Sequence, residues 1–351
     1  MKRRAPLLSF VLFPVMAWAQ SVSLPKVTPW PEDHVAAISL TFDDSLPTHL
    51  ENAGPILKKH HLHGTFFVIT GSKTWVERPD DWRRLAADGN EIGGHTVHHP
   101  CLAEQVKPNA LTYTPPMMRA EVRDSAREII ARLGIERGLT FAYPCATLTF
   151  GPPEDQEHNQ VLYMGDVAEF YIAARAENAG VPVYAQEMDP LSVLGLGRTA
   201  GKDFPGLLAL LEPALSSYQW GVYTFHGVGG DALSVTSEAL DQLASYLQQH
   251  GEIWCATFGD AVRYIQERKA LAMHLTKSDR RQVEFKLSWA MDAKTYDLPL
   301  TLQWQAPSDW TAYQCEADGH PLASAKALDS SSKLALVDVP PQTKVLRFEA
   351  K

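Results

Sequence analysis

The chain is 351 residues long, with 45% hydrophobic and 21% charged side chains. That is enough to bury an ordinary core and suggests two domains, or one barrel with an appendage. A formal net charge of −9 argues against a nucleic-acid partner and against docking on anionic lipid.

Met1-Lys2-Arg3-Arg4 is a charged start, and the apolar run over 6–18 is short for a bilayer span. Ala17-Trp18-Ala19 then offers a small-x-small cleavage site. Residues 1–19 therefore read as a secretory signal peptide cleaved after Ala19, and the mature chain is expected to be secreted or periplasmic with no membrane span. Residues 20–34 form a turn-rich lead-in. An apolar run over 35–42 predicts a buried strand, and it ends abruptly in Asp43 and Asp44. Successive strand side chains point to opposite faces, so the two acids cannot share a job unless the chain is already turning. Asp43-Asp44-Ser45 before Leu46-Pro47 is also ordinary turn chemistry.

Residues 50–62 predict a helix, with Lys58, Lys59, His60 and His61 in a last turn that suits basic groups. A strand over 64–70, a helix over 79–88 and a short strand over 90–94 follow, and the last delivers His95. On a helical turn His95 and His99 share a face and close on one metal ion, although His98 leaves the i+3 spacing open. One carboxylate, two imidazoles and an open position describe a catalytic zinc site.

Further along, the pattern predicts a helix over 117–133 stopped by Gly134, a strand over 139–143 and a polar surface loop over 147–160. A helix over 166–179 and a strand over 181–184 come next. Gly195-Leu196-Gly197-Arg198 lacks the spacing of a dinucleotide-binding loop. A helix over 204–216, a strand over 221–225 ending in His226, a helix over 237–250, a strand over 253–257 and a helix over 258–267 complete a βα alternation with its chemistry at strand ends.

Thr41-Phe42-Asp43-Asp44 after an apolar strand, then His95-Thr96-x-x-His99, resembles the polysaccharide deacetylases of carbohydrate esterase family 4, the NodB-homology fold. Phe141-Ala142-Tyr143-Pro144 looks like that family's third block, and Tyr223-Thr224-Phe225-His226-Gly227 looks like its last. The likeness covers about residues 35–265. It implies an irregular (β/α) barrel and metal-dependent removal of acetyl groups from a polysaccharide or oligosaccharide. It also implies roles. Asp44, His95 and His99 would hold a divalent metal, most simply zinc. Asp43 would be the general base, His226 the acid, and the backbone N–H of Cys145 an oxyanion donor beside Tyr143. The family's arginine two residues before the third-block proline is Ala142 here, so Arg198, after Asp189-Pro190, is the expected replacement that orients Asp43. Asp189 is the expected support of His226. If both blocks line one site, Cys101 and Cys145 lie close enough for a disulfide in an exported protein.

Beyond about residue 270 the pattern changes. Alternation over 282–290, 298–304 and 334–339, with Pro, Gly and Asp-Ser clusters between, predicts a small sandwich-like all-β domain over 271–351 after the barrel over 35–270. Trp289, Trp304 and Trp310 either offer stacking faces to a sugar or fill that domain's core, and large aromatics favour the core. The residue set leaves two other functions to weigh: a non-catalytic carbohydrate-binding protein on the same barrel, and a metal-dependent amidohydrolase of a small amide. N-acetyl and O-acetyl substrates are not separated, and no protein partner is indicated.

Overall fold

A computed structural model describes residues 22–103, 107–135, 138–176, 179–216, 219–326, 329 and 331–351. The expected signal peptide lies outside the described residues. The chain enters through β1 (Lys26–Val27) and reaches β2 (Ala36–Asp43), whose eight residues are all buried. An unbroken apolar run of this kind suits a strand covered on both faces. A π turn over His49–Ala53 leads into α1 (Gly54–Lys59), followed by β3 (Thr65–Val68), α2 (Lys73–Glu77), α3 (Pro79–Ala87) and β4 (Glu91–Gly94). Next come α4 (Pro115–Leu133), β5 (Thr140–Ala142), α5 (Gln156–Phe170), β6 (Ala173–Arg175), α6 (Phe204–Leu215), β7 (Trp220–Phe225), α7 (Ser237–Gln249), β8 (Ile253–Cys255) and α8 (Phe258–Ala270). Gly134, at φ 70, ends α4 in the left-handed conformation.

The parallel sheet runs β6-β5-β4-β3-β2-β7, with β8 also on β2. Ala37 pairs with Trp220 of β7 and with Trp254 of β8. Those partners must lie on opposite edges of β2, so β8 takes the first part of the edge that β3 takes further on. Residues 193–198 close the ring. Val193 pairs with Arg175 of β6, Leu196 N donates to Val222 O at 2.8 Å, and Arg198 pairs with Thr224 of β7. The expected (β/α) barrel is thus irregular, its last seam made by single bridges instead of a regular strand.

Three expectations along this stretch need correction. The loop expected over 147–160 runs only to the start of α5, and the helix expected over 166–179 ends at Phe170. The buried stripe of α5 is Asn159, Tyr163 and Val167, and an asparagine in it hides the apolar periodicity. Residues 173–175 become a strand because β5 offers them a parallel edge, a tertiary contact that overrides local helix preference. Of the strand expected over 181–184, Val183 alone forms a bridge, to Trp220.

The second domain comprises β9 (Leu271–Ser278), β10 (Gln282–Trp289), β11 (Leu300–Gln305), β12 (Tyr313–Ala317), β13 (His320–Pro321), β14 (Leu334–Val339) and β15 (Val345–Ala350). Its five-stranded sheet is ordered β13-β12-β15-β10-β9 and its three-stranded sheet β1-β11-β14. The lead-in expected over 20–34 is not separate where it is described: Lys26 and Val27 pair with Gln303 and Leu302. Trp304 and Trp310 are buried in this domain's core, and the half-buried Trp289 donates to Thr343 O at 2.7 Å. Trp30, Phe258, Tyr264 and Leu300 share one apolar cluster, which joins the two domains.

Candidate active site

Asp43 closes β2, and the chain turns at once. Asp44 has φ 80 and Ser45 φ 53, so strand alternation stops and both carboxylates line one cavity of about 340 Å³. Ile69 N donates to Ser45 Oγ at 2.7 Å and pins the turn to the end of β3. Left-handed backbone recurs around the site: Thr96, His99, Cys145 and Ala146 have φ of 66, 58, 53 and 56. Each such residue costs of order 1 kcal/mol, and such strain concentrates where side chains must be aimed.

The histidines reach the cavity without a helix. β4 ends in Gly94, where a Cβ would sit 2.4 Å from the Tyr171 hydroxyl, so any other residue would force that buried ring to move. His95 follows and its Nδ1 lies 2.7 Å from Ala142 O. A carbonyl only accepts, so Nδ1 carries a proton and Nε2 is the nitrogen turned towards Asp44. The next turn is a loop, not the helical turn that the spacing suggested, and His99 N is held by Thr96 Oγ1 at 2.9 Å. His98 points elsewhere. Its Nδ1 is 2.8 Å from Glu121 Oε1, and its backbone N–H and that of Val97 donate to Glu121 Oε2 at 2.8 and 2.9 Å. Glu121, buried on α4 and also bonded by the Tyr113 hydroxyl at 3.1 Å, thus anchors the histidine loop.

Asp44 Oδ1 lies 3.5 Å from His95 Nε2 and 3.3 Å from His99 Nε2. Donors each about 2.0–2.1 Å from one tetrahedral ion stand about 3.3 Å apart. Asp44 Oδ1 is buried with no hydrogen-bond partner. Burial, then the His95 charge, pull the His99 imidazole down to about 4, which keeps it in the neutral form that binds metal. Burial raises the Asp44 carboxyl, but His95 beside it, with His99 and His226, holds it well below the usual range. The trio fits a divalent metal. His99, Cys101 and Cys145 also cluster, but Cys101 and Cys145 are joined as a disulfide, so their sulfurs are committed.

Arg175, at the end of β6, is the residue that sequence reasoning missed. Its guanidinium bonds Asp43 Oδ2 and the Thr224 hydroxyl, and both members of the pair are buried. Burial would raise the Asp43 carboxyl, and Arg175, with the charges of His95 and His226, more than reverses this. The other oxygen, Oδ1, has no partner. The signal was present: Arg175 follows the apolar run Ile172-Ala173-Ala174 just as Asp43 follows Phe42, but a predicted helix covered it. Arg198 does not orient Asp43. It lines the cavity wall, and no described carboxylate pairs with it. Asp189 does not hold His226 either; it caps its own turn, accepting from Leu191 N at 2.9 Å. What holds His226 is His49, buried beneath it, whose Nε2 lies 3.0 Å from the His226 carbonyl oxygen. His226 Nε2 is 3.9 Å from Asp44 Oδ2. Tyr143 and Cys145 line the cavity as well, and Tyr143 N donates to Arg175 O at 3.1 Å.

Residues 32–150 match the family model described as polysaccharide deacetylase. Over these residues the chain is similar to the polysaccharide deacetylases. It is 27% identical over 350 residues to a gellan lyase from a Bacillus species, a match covering 92% of this chain and 13% of that one. It is 33% identical over 104 residues to a chitooligosaccharide deacetylase from Sinorhizobium fredii, covering 28% of this chain and 47% of the relative. The chain thus spans less than half the length of either. A solved structure of the peptidoglycan deacetylase PdaC from Bacillus subtilis aligns with a TM-score of 0.43 at 16% identity, over 67% of this chain and 94% of that one.

Proposed function

We propose that this chain hydrolyses acetyl groups on a polysaccharide or oligosaccharide, releasing acetate and a free amine or hydroxyl. The observation that carries the reading is the buried Asp43–Arg175 pair standing beside the Asp44, His95 and His99 trio, with His226 in the same cavity. A divalent ion on that trio, zinc by its donor set, supplies Lewis-acid polarisation of the acetyl carbonyl and a lowered water pKa. Asp43, kept ionised and aimed by Arg175, takes the proton of the attacking water. His226 donates a proton to the leaving nitrogen or oxygen as the acyl bond breaks. The Cys145 backbone N–H, on the wall next to Tyr143, is assigned to the developing oxyanion.

The reading extends to location. A signal peptide over 1–19 would place the mature chain in the periplasm or outside the cell, and the Cys101–Cys145 bridge suits an oxidising compartment. No helix of the described residues is long and apolar enough to cross a membrane.

The test is acetate release by the metal-loaded and the chelator-treated protein. Substrates are N-acetylglucosamine oligomers, peptidoglycan and acetylated xylan. Metal-dependent acetate from one of them supports the reading. Sugar binding without acetate would favour the non-catalytic alternative. An unsaturated product without acetate would favour a lyase, as the name of the gellan lyase relative suggests.

A further inference from the structure

The residue left over from the site is Arg198. Its place is fixed by the seam that closes the barrel. Arg198 bridges Thr224 near the end of β7, and Thr199 Oγ1 donates to the Thr224 carbonyl at 2.7 Å. Two residues after Thr224 comes His226, so Arg198 stands on the same cavity wall as the proposed acid. The residue is exposed and lines the cavity, and among the described residues no carboxylate forms an ion pair with it. The two acids of the cavity are already engaged: Asp43 by Arg175, Asp44 by the imidazoles.

An exposed unpaired arginine elsewhere on a surface is ordinary. This one is part of the wall of a cavity of about 340 Å³, on a protein whose net charge is −9. A guanidinium presents a planar fork of donors that matches a carboxylate in two parallel bonds, and a neutral sugar offers nothing of that shape. We propose that Arg198 binds a carboxylate carried by the glycan next to the acetylated position, so that the favoured substrate is an acidic acetylated polysaccharide. The carboxylate is either that of a uronic acid or that of a lactyl ether on a hexosamine. This rests on the deacetylase reading and names its substrate class.

The experiment compares acetylated oligosaccharides bearing a uronate, the same bearing a lactyl ether, and both after reduction of the carboxyl to an alcohol. Acetate release is followed for the wild type, Arg198→Gln and Arg198→Lys. The wild type should favour one of the acidic substrates over its reduced form by about tenfold or more in kcat/KM, mainly through KM, since one charged bidentate contact is worth that much. Arg198→Gln should bring this ratio close to one, and Arg198→Lys should restore part of it. A ratio near one in the wild type, or the same ratio in Arg198→Gln, overturns the proposal. Direct binding of the deacetylated acidic oligosaccharides is measured in parallel. If no substrate yields acetate, the deacetylase reading has failed, and this arm still decides the arginine: binding of neither acidic oligosaccharide, or binding equal in Arg198→Gln, refutes it.

Discussion

Arg175 and Asp43 form a buried ion pair across the barrel, from the end of β6 to the end of β2. Neither has an adequate alternative partner in the interior, so the pair fixes the orientation of the carboxylate and keeps it charged. Removing one member of such a pair leaves the other buried and uncompensated, at about 3–5 kcal/mol. Arg175→Met should therefore lose stability on this scale and lose activity by about 10²-fold or more. Because Arg175 holds the Asp43 carboxyl down, the acid limb of the kcat/KM profile should also move to higher pH in Arg175→Lys, where a weaker fork replaces the guanidinium. A pH–rate profile checks this, and an unmoved limb would show that Asp43 is not the base.

Glu121 holds the histidine loop by accepting from two successive backbone N–H groups and from His98. Replacing it with glutamine puts an amide NH₂ where an acceptor is needed. Metal affinity should fall about 10–100-fold, as it does when supports of metal-binding side chains are removed. Calorimetric metal titration reads this without reference to activity. His98→Ala, which removes an outward-pointing ring, should change metal affinity far less than His99→Ala.

The Cys101–Cys145 bridge spans 44 residues of sequence and ties the histidine loop to the wall that carries Tyr143. Closing a loop of that size stabilises by about 4 kcal/mol in the chain-entropy model. The double serine variant should melt several degrees lower than the wild type, and reductant should lower the wild-type melting temperature without affecting the variant. Equal melting temperatures with and without reductant would contradict the bridge.

Glu267 on α8 sits at the junction with the β domain, buried, with Oε1 accepting from Leu298 N at 3.2 Å and Oε2 unpartnered. Burial raises its carboxyl to about 7. The folded state therefore holds this proton more tightly than the unfolded chain, whose value is near the usual ~4.3. The stability it lends is full below ~4.3 and is lost as pH rises towards about 7. Denaturant midpoints measured from pH 4 to 8 should fall less steeply across that window in Glu267→Gln than in the wild type.

Much of this site was legible in the sequence for a definite reason. Asp43 closes β2 and His226 directly follows β7, and a buried strand writes an apolar run that marks its own end. The β domain announced itself by alternation. What was hidden depended on tertiary contact. Residues 173–175 are a strand because β5 pairs with them, so Arg175 was concealed within a predicted helix. Arg198 and Asp189 were given roles from their order in the chain, and the barrel seam over 193–198, which places Arg198, has no periodicity to read. His95 and His99 converge through Thr96 and His99 in left-handed conformation, whereas spacing alone suggested a helix. Glu121 was an acid among apolar positions of α4, and its purpose is visible only once the histidine loop lies over it.

Asp43 and Asp44, adjacent in sequence, are assigned different work under the proposed function: one to move a proton, the other to hold the metal. The most direct test pairs Asp43→Asn with Asp44→Asn, measuring bound metal per chain and acetate released from the best acetylated glycan. The account predicts that Asp43→Asn keeps one metal per chain and loses acetate release by about 10²–10⁴-fold, whereas Asp44→Asn loses both metal and acetate. Substantial acetate release by Asp43→Asn, or metal binding at wild-type strength in Asp44→Asn, would contradict it.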